Sequence, residues 1–268
     1  MLKQLEEWPV DTVAAAVVAG GEVVERHGDQ QRVFLLASVT KLLTAHAALV
    51  AVEEGAIELD QPAGPAGSTV RHLLAHASGL PFEGRAPAAG VGEQRIYSSA
   101  GFEVLADLIG AETGIEFADY LHQGVCEPLG MGSTSLQGSA GHMAHSSVRD
   151  LAAFAVELLN PKLVSPSLFA DATSVQFPGL DGFVPGYGKH RPCDWGLGFE
   201  LRSNKDPHWT GTANSPGTFG HFGQSGTFLW VDPVLSAACV VLTDRAFGPW
   251  AKPLWSEFNN SIVESLKH

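Results

Sequence analysis

A serine and a lysine three positions apart are the first residues of this sequence whose types and spacing suggest chemistry. Lys41 is the only charged residue from Val33 through Val52, in a largely apolar stretch. On a helix, Ser38 and Lys41 would share one face. Burial disfavours a charged amine and lowers its pKa, so that Lys41 could accept a proton from a hydroxyl. The pair predicts a nucleophile at Ser38 that is activated by Lys41.

The same pair has an interpretation without chemistry. A lysine can lay its apolar stem along a core and keep its amine in water. A serine at the start of a helix can simply accept a hydrogen bond from an N–H of the first turn. Both interpretations of Ser38 and Lys41 are open at this point.

A tyrosine and a histidine are the next candidates. Tyr97 stands at the start of a predicted helix, where a neighbouring cation would favour its phenolate and make it a general base. His221 lies on a predicted strand with Gly220, Gly223 and Gly226 around it. Glycine weakens a strand, so these glycines indicate close approach by a ligand or another backbone. The alternatives are a tyrosine used for packing and an ordinary bulge and turn.

The elements that must position these residues follow from the apolar pattern. The predicted elements are a hairpin at 13–27 around Gly20-Gly21, helical segments at 38–54, 70–77, 97–112, 115–124 and 250–266, and strands at 196–201, 218–222, 227–231 and 237–243. Ser147 with Asp150 resembles a capping box that opens a helix to Leu159. The Pro-, Gly- and Ser-rich stretch 160–192 is predicted to be a long surface loop.

Strands near both chain ends with helices between them indicate an α/β (α+β) fold. We predict one catalytic unit over 1–268, in which both ends build an antiparallel sheet flanked by helices. An α/β lobe would comprise about 1–55 and 193–268, and a mostly helical inserted lobe about 56–192.

The charge of the chain argues against several classes of partner. It has 268 residues, with 16 Lys+Arg against 29 Asp+Glu and a net charge of −13. Such an acidic surface repels phosphate backbones and anionic lipids, so we expect neither nucleic-acid nor membrane binding. The 3 cysteines are widely spaced and predict no disulfide framework. The N-terminus lacks the apolar run of an export signal, which predicts a cytoplasmic protein.

Several motifs together resemble the serine β-lactamase/D,D-peptidase superfamily, in its class C-like branch of β-lactamase-related hydrolases and esterases. The motifs are S-V-T-K at 38–41, H-L-L-A-H-A-S-G-L-P at 72–81, Y-S-S-A-G-F at 97–102, P-L-G-M at 128–131, W-G-L-G-F at 195–199, G-H-F-G-Q-S-G-T at 220–227 and V-V-L-T-D-R at 240–245. The similarity runs from about residue 12 to residue 265.

This resemblance implies a role for each matching residue. Ser38 would attack the substrate carbonyl and carry the acyl group, and Lys41 would keep the site electropositive and share the proton transfers. Tyr97 would be the principal base. The N–H groups of Ser38 and Gln224 would form the oxyanion hole.

The substrate-binding positions are Ser99, His221 and Gly223, and two of them depart from the pattern. Ser99 stands where many relatives have asparagine, and His221 replaces the lysine of a K-T-G motif. A histidine binds a carboxylate as a cation mainly below about pH 6.5, and we expect His221 to be partly charged near neutrality. Both departures weaken the case for efficient penicillin or cephalosporin hydrolysis.

A metal site receives little support. His72 and His76 have the i, i+4 spacing of zinc ligands on a helix, but no glutamate follows His72 and no third ligand is evident. We therefore predict no metal and no cofactor.

We conclude from the sequence that this is a serine hydrolase that forms an acyl-enzyme at Ser38 and hydrolyses a small ester or amide. One alternative is a D,D-peptidase, a D-aminopeptidase or a weak β-lactamase, with a short peptide or β-lactam as substrate. Another is a non-catalytic binding protein that keeps the penicillin-binding cleft. The sequence does not indicate an oligomeric state.

Overall fold

Both ends of the chain contribute to one antiparallel sheet in the computed structural model, which describes residues 1–267. The strands in chain order are β1 (Val13–Ala19), β2 (Glu22–His27), β3 (Val33–Leu35), β4 (Ser135–Leu136), β5 (Ala144–Ser147), β6 (Gly182–Val184), β7 (Gly188–His190), β8 (Glu200–Leu201), β9 (Phe219–Gly223), β10 (Thr227–Asp232) and β11 (Ala237–Thr243). The main sheet has six strands in the order β2-β1-β11-β10-β9-β8. Strands β3, β5 and β4 form a smaller sheet, and β6 pairs with β7.

Most of the helices lie in the chain between the two groups of sheet strands. The α-helices are α1 (Thr40–Glu53), α2 (Val70–Leu74), α3 (Ala100–Thr113), α4 (Phe117–Leu121), α5 (Val148–Leu159), α6 (Pro166–Ala172) and α7 (Ala251–Leu266). Short 3₁₀ turns cover Leu2–Glu7 and Ala37–Val39, and a π-helical turn covers His122–Cys126.

The hairpin of β1 and β2 forms where the two glycines predict it. Gly20 and Gly21 have φ angles of 60° and 84°, values that glycine adopts without a steric penalty. The turn sets β1 beside β2, while the other edge of β1 pairs with β11. The first strand of the chain is thereby joined to its last strand.

Helices cover both faces of the sheet, which explains why every residue of β10 and β11 is buried. On one face, α1, α3 and α5 form an aliphatic core with residues such as Leu49 and Val240. On the other face, α7 brings Trp255 and Phe258 against Phe228. The aromatic rings of Phe228 and Trp255 have centroids 5.0 Å apart. This sandwich holds β9, the strand that carries His221, on a rigid support.

The structure confirms the predicted fold class, an antiparallel sheet with flanking helices. The division into two lobes is not tested by it and stays a prediction. Among residues 1–267, none of the helices has the length and apolar character needed to cross a bilayer.

The predicted surface loop at 160–192 is wrong in part, because α6, β6 and β7 lie within it. Helix α6 has a start signal, since the Ser165 hydroxyl accepts the Leu168 N–H at 3.4 Å and Pro166 occupies the first turn. The two strands have three residues each, too few for a periodic pattern. The strand predicted at 196–201 is also shorter, covering only Glu200–Leu201.

Candidate active site

Ser38 lies in a sharp turn between β3 and α1. It is the middle residue of the 3₁₀ turn Ala37–Val39, and it is half-buried. Ala37 has a φ of 45°, in the left-handed region that residues other than glycine rarely adopt. The chain therefore reverses just before Ser38, which stands at the N-terminal end of α1, one turn before Lys41.

The end of β9 packs directly on this turn. A Cβ at Gly223 would lie 2.2 Å from the Leu36 carbonyl oxygen and 3.2 Å from the Ala37 Cβ. The Thr227 hydroxyl donates to the same Leu36 carbonyl at 2.9 Å. The prediction that a glycine here permits close approach of another backbone is confirmed, and that backbone is the one that leads into Ser38.

Lys41 is fully buried, so the interpretation that its amine reaches solvent is wrong. Its Nζ donates to the Ser99 hydroxyl at 3.0 Å and to the Gly141 carbonyl at 2.8 Å. Burial lowers the pKa of Lys41 to about 7, and the charge of Glu103 opposes this shift. In the described part of the chain, the Lys41 amine and the Ser38 hydroxyl are not hydrogen-bonded to each other directly. Hydrogen bonds between catalytic side chains are often long without substrate and shorten only when substrate is bound.

The Tyr97 side chain lies close to both Ser38 and Lys41. The Lys41 Nζ lies 4.6 Å from the centroid of its ring. Burial raises the pKa of Tyr97 well above its ordinary value, and the nearby Ser38 hydroxyl offsets this shift only in part. The expectation that a neighbouring cation favours the phenolate is therefore wrong, because desolvation of the phenolate outweighs that attraction. Tyr97 carries its proton near neutral pH.

His221 is buried behind Tyr97, with both ring nitrogens occupied. Its Nδ1 donates to the Phe222 carbonyl oxygen at 2.6 Å, which leaves Nε2 to accept from the Tyr97 hydroxyl at 3.3 Å. Burial, assisted by the charge of Lys41, lowers the pKa of His221 to about 3. The expected partial charge on His221 near neutrality is wrong, because the ring has too little contact with water to stay protonated.

Ser99 faces Lys41 and belongs to the turn that starts α3. Its hydroxyl accepts from Lys41, and its N–H donates to the Phe82 carbonyl at 3.0 Å. A Cβ at Gly141 would lie 2.9 Å from the Ser99 Cβ, so the segment that supplies the Gly141 carbonyl needs a glycine here. Nothing in the sequence marks Gly141 as part of the site, because only the fold brings it to Lys41.

The two histidines considered as a zinc pair point to different partners. His72 stacks on Phe177 with ring centroids 4.3 Å apart, and its Nδ1 pairs with the Thr69 hydroxyl at 2.9 Å. His76 lies beyond the end of α2, and its Nδ1 accepts the Ser98 N–H at 3.1 Å. Within the described part of the chain there is no group of three or more His, Cys, Asp or Glu side chains that could hold a metal.

His76 helps to position the Tyr97 phenol, a role that the sequence does not indicate. It is buried, and its ring centroid lies 4.8 Å from that of Tyr97 and 4.9 Å from that of Trp195. Burial lowers the pKa of His76 well below its ordinary value. Around the Tyr97 ring, burial therefore favours the neutral forms of Lys41, His76 and His221.

Gln224 follows β9 directly. Its carbonyl accepts the Phe247 N–H at 2.8 Å, and its side-chain amide donates to the Phe247 carbonyl at 3.3 Å. These two bonds fix the peptide of Gln224 at the end of the strand next to the Ser38 turn.

A second buried polar cluster, which no sequence motif indicates, surrounds Glu200 on β8. The Glu200 carboxylate contacts the Lys205 Nζ at 2.9 Å and the His208 Nε2 at 3.0 Å, and it accepts from the Trp209 indole. Despite burial, these partners hold the pKa of Glu200 well below its usual range. We call these four residues the Glu200 cluster.

The structure thus brings Ser38, Lys41, Tyr97, Ser99 and His221 into one site. The arrangement offers a half-buried hydroxyl, a buried amine that is largely deprotonated above about pH 7, and a protonated phenol. These groups suit acyl transfer through a serine nucleophile.

Comparison with known proteins agrees with this geometry. The sequence profile of the Beta-lactamase family matches residues 3–259. A crystal structure of a β-lactamase from Mycobacterium bovis is similar over 100% of this chain and 99% of that one, with 57% identity and a TM-score of 0.99. A mutant of the simvastatin synthase of Aspergillus terreus shares the fold at 17% identity, with a TM-score of 0.78 over 99% of this chain and 93% of that one.

A curated relative from Salmonella enteritidis covers less of the chain. Its name assigns it provisionally to the D-alanyl-D-alanine carboxypeptidases, and it is 34% identical over 124 residues. The match takes in 44% of this chain and 26% of the relative, so the chain spans about a quarter of that protein's length.

Proposed function

The chain belongs to the β-lactamase family, and from this premise we propose that it hydrolyses a small, uncharged ester or amide through an acyl-enzyme at Ser38. One observation carries the proposal: a fully buried lysine with a pKa of about 7 stands one helical turn from a half-buried serine.

Lys41 is the group that takes the proton of Ser38 in this proposal. It can hold an additional proton near neutral pH, whereas His221 has a pKa of about 3 and Tyr97 already carries its proton. Its two contacts with Ser99 and Gly141 use the two N–H bonds of a neutral amine, which leaves its lone pair to accept. This assignment moves the role of principal base from Tyr97 to Lys41.

In acylation, Ser38 attacks the carbonyl group of the substrate. The Ser38 Oγ forms a bond to the substrate carbonyl carbon while its proton passes to the Lys41 Nζ, and the carbonyl oxygen becomes an oxyanion. The N–H groups of Ser38 and Gln224 bind that oxyanion. When the intermediate collapses, the bond to the leaving group breaks, and the Tyr97 O–H turns from His221 to donate a hydrogen bond to the departing oxygen or nitrogen as that atom takes the proton from Lys41. Water hydrolyses the acyl group by the reverse sequence.

His221 acts as a positioning residue for Tyr97 rather than as a carboxylate-binding group. Its one N–H donates to the Phe222 carbonyl, and its other nitrogen accepts from Tyr97. A neutral ring with no N–H to spare offers nothing to an anionic substrate. This supports an uncharged substrate over D-alanyl peptides, whose terminal carboxylate needs a cation.

A β-lactam is the second candidate substrate, and a specific observation favours it. The Mycobacterium bovis structure with 57% identity is described as a β-lactamase. The D,D-peptidase or D-aminopeptidase alternative is supported by the name of the Salmonella relative, over fewer than half of the residues. The non-catalytic alternative would keep the cleft without turnover.

The test is covalent labelling followed by a substrate panel. A fluorophosphonate should add one label to the wild-type chain and none to Ser38→Ala, as read by intact mass. Neutral p-nitrophenyl esters should then turn over faster than nitrocefin and D-alanyl-D-alanine peptides. Faster hydrolysis of nitrocefin would identify a β-lactam, rather than an ester, as the substrate. A wild type that is neither labelled nor active would establish the non-catalytic alternative.

A further inference from the structure

We propose that Glu103 and Ser139 are positioning residues for the reaction, because together they hold the Gly141 carbonyl against the Lys41 amine. This proposal rests on the proposed function, in which Lys41 takes the proton of Ser38. Glu103 lies in the first turn of α3, and Ser139 lies in the connection between β4 and β5. The two residues therefore join different elements at the site.

A continuous chain of hydrogen bonds links the Glu103 carboxylate to the Lys41 amine. The Ser139 hydroxyl donates to the Glu103 Oε1 at 2.6 Å, and the same hydroxyl oxygen accepts the Gly141 N–H at 3.2 Å. The Gly141 carbonyl in turn accepts from the Lys41 Nζ at 2.8 Å. The Ser139 hydroxyl thus uses its proton on α3 and its lone pair on the segment that contacts Lys41.

The connection between β4 and β5 is tied together by further hydrogen bonds. The Ser139 carbonyl accepts the His142 N–H at 3.1 Å, and the Thr44 hydroxyl donates to the Ala140 carbonyl at 2.7 Å. Because these bonds fix successive residues relative to one another, the place at which Ser139 is anchored determines where the Gly141 carbonyl lies.

The position of this carbonyl matters because it orients the amine. The Gly141 carbonyl and the Ser99 hydroxyl accept the two N–H bonds of a neutral Lys41, and the lone pair remains for the proton of Ser38. If one acceptor moves, the amine can rotate, and its lone pair loses its alignment with the hydroxyl. Misplacement of a proton acceptor slows the reaction even where its chemistry is unchanged.

Glu103 also acts on Lys41 through its charge. Burial lowers the pKa of Lys41, and the Glu103 carboxylate opposes that shift. The other titratable groups around the amine, Tyr97, His76 and His221, are neutral near pH 7. Glu103 therefore has two separable effects, one through the Ser139 hydroxyl on the position of the amine and one through its charge on the pKa.

Two variants separate the hydrogen bond from the charge. Ser139→Ala removes the hydroxyl that joins α3 to Gly141, and it should lower the acylation rate of Ser38 about three- to tenfold without changing the dissociation constant of a neutral ester. Glu103→Gln keeps an acceptor for the Ser139 hydroxyl, so its maximal acylation rate should stay within about twofold of the wild-type rate. Stopped-flow bursts over a range of ester concentrations give both constants.

Further variants test rescue and coupling. Ser139→Thr restores a hydroxyl and should recover most of the rate that Ser139→Ala loses. Glu103→Leu removes the acceptor and should lose about as much as Ser139→Ala, and the double variant should lose no more than either single variant. As controls, Ser135→Ala removes a hydroxyl from β4 and Asp107→Leu removes a carboxylate one turn further along α3. Both controls should acylate as the wild type does.

Equal acylation rates in Ser139→Ala and the wild type would overturn the proposal, as would an equal loss in Ser135→Ala. A merely structural role would lower the urea midpoint of Ser139→Ala and leave the acylation rate of the folded protein unchanged.

Failure of the proposed function has a different signature, a wild-type chain whose Ser38 takes no fluorophosphonate. The contact can also be measured without catalysis, by ¹³C NMR titration of the Lys41 amine. In Ser139→Ala the midpoint should fall by less than about one pH unit, because the ammonium form loses a fixed acceptor. A midpoint identical to that of the wild type would overturn the proposed link between Ser139 and Lys41.

Discussion

Lys41 and Lys205 are both buried, but they have different neighbours. Lys205 contacts the Glu200 carboxylate at 2.9 Å and donates to the carbonyls of Asp194 and Leu201. Lys41 has a hydroxyl and a carbonyl as partners and no carboxylate within ion-pair distance among residues 1–267. A buried charge is stable only where it is paired, so the same residue type is structural in one cluster and reactive in the other.

The largest expected effect comes from removing the proton acceptor. Arginine at position 41 keeps a cation but cannot lose its proton, so Lys41→Arg should slow acylation of Ser38 by about 10²–10⁴-fold. Stopped-flow measurement of the ester burst gives this rate, and circular dichroism checks the fold. An acylation rate near that of the wild type would show that the positive charge, rather than the lone pair, is what the site needs.

The Glu200 cluster should respond in stability. Glu200→Gln leaves Lys205 buried without its carboxylate and should lower the free energy of unfolding by about 3–5 kcal/mol. Urea denaturation measures this change. The double variant Glu200→Gln/Lys205→Met should recover part of the loss, because it removes the unpaired charge. If the unfolding free energy of the double variant falls by the sum of the losses in Glu200→Gln and Lys205→Met, the two side chains are not energetically coupled.

The pH dependence of stability should reveal the lowered pKa of Lys41. Folding lowers the pKa of Lys41 from 10.5 to about 7, so the unfolded chain binds more protons between these values and stability rises with pH across this range. Lys41→Met lacks this contribution. As the pH rises, the unfolding free energy of the wild type minus that of Lys41→Met should therefore increase by up to about 1.4 kcal/mol per pH unit. A constant difference from pH 7 to 9 would contradict the lowered pKa.

A smaller effect is expected from the acid nearest to Lys41. The charge of Glu103 raises the pKa of Lys41, so Glu103→Gln should move the ascending limb of the acylation rate to lower pH. We expect a shift of less than about one pH unit, because Glu103 is partly exposed and its charge is screened. Asp107→Asn changes an exposed carboxylate on the same helix and serves as control. A shift to higher pH would contradict the assignment of the limb to Lys41.

The smallest expected effect is on the binding of anionic esters. Because His221 is neutral above its pKa of about 3, a change in KM of an anionic ester between about pH 6 and 8 should come from Lys41, whose pKa is about 7, and His221→Gln should leave that change as it is in the wild type. Steady-state kinetics over this range, with a neutral ester of matched size as control, gives the answer. A KM that rises with pH for the anionic ester alone in the wild type, but not in His221→Gln, would mean that a histidine cation binds its carboxylate.

Local sequence patterns predicted much of the fold and the residues that meet in the site. The hairpin at Gly20-Gly21, the strand at 237–243 and the capping of α5 by Ser147 all appear as expected, because each depends on neighbours in sequence. Ser38, Lys41, Tyr97 and His221 meet as the motifs imply. The chain's relation to the β-lactamase family was also evident from those motifs.

The protonation states could not be predicted in the same way. The pKa values of Tyr97 and His221 depend on burial, and burial depends on side chains such as Trp195 and His76 that are distant from them in sequence. The Glu200 cluster was missed for a related reason, since a glutamate and a lysine five positions apart look like solvated residues until the fold encloses them.

The most direct test of this account is the titration of the Lys41 amine itself. With ¹³C at the lysine Cε positions, and with the Lys41 signal assigned by its absence in Lys41→Arg, NMR can follow that group with pH. We predict a chemical-shift change with a midpoint of about 7. A Lys41 that stays charged beyond about pH 9 would contradict its role as the base that activates Ser38.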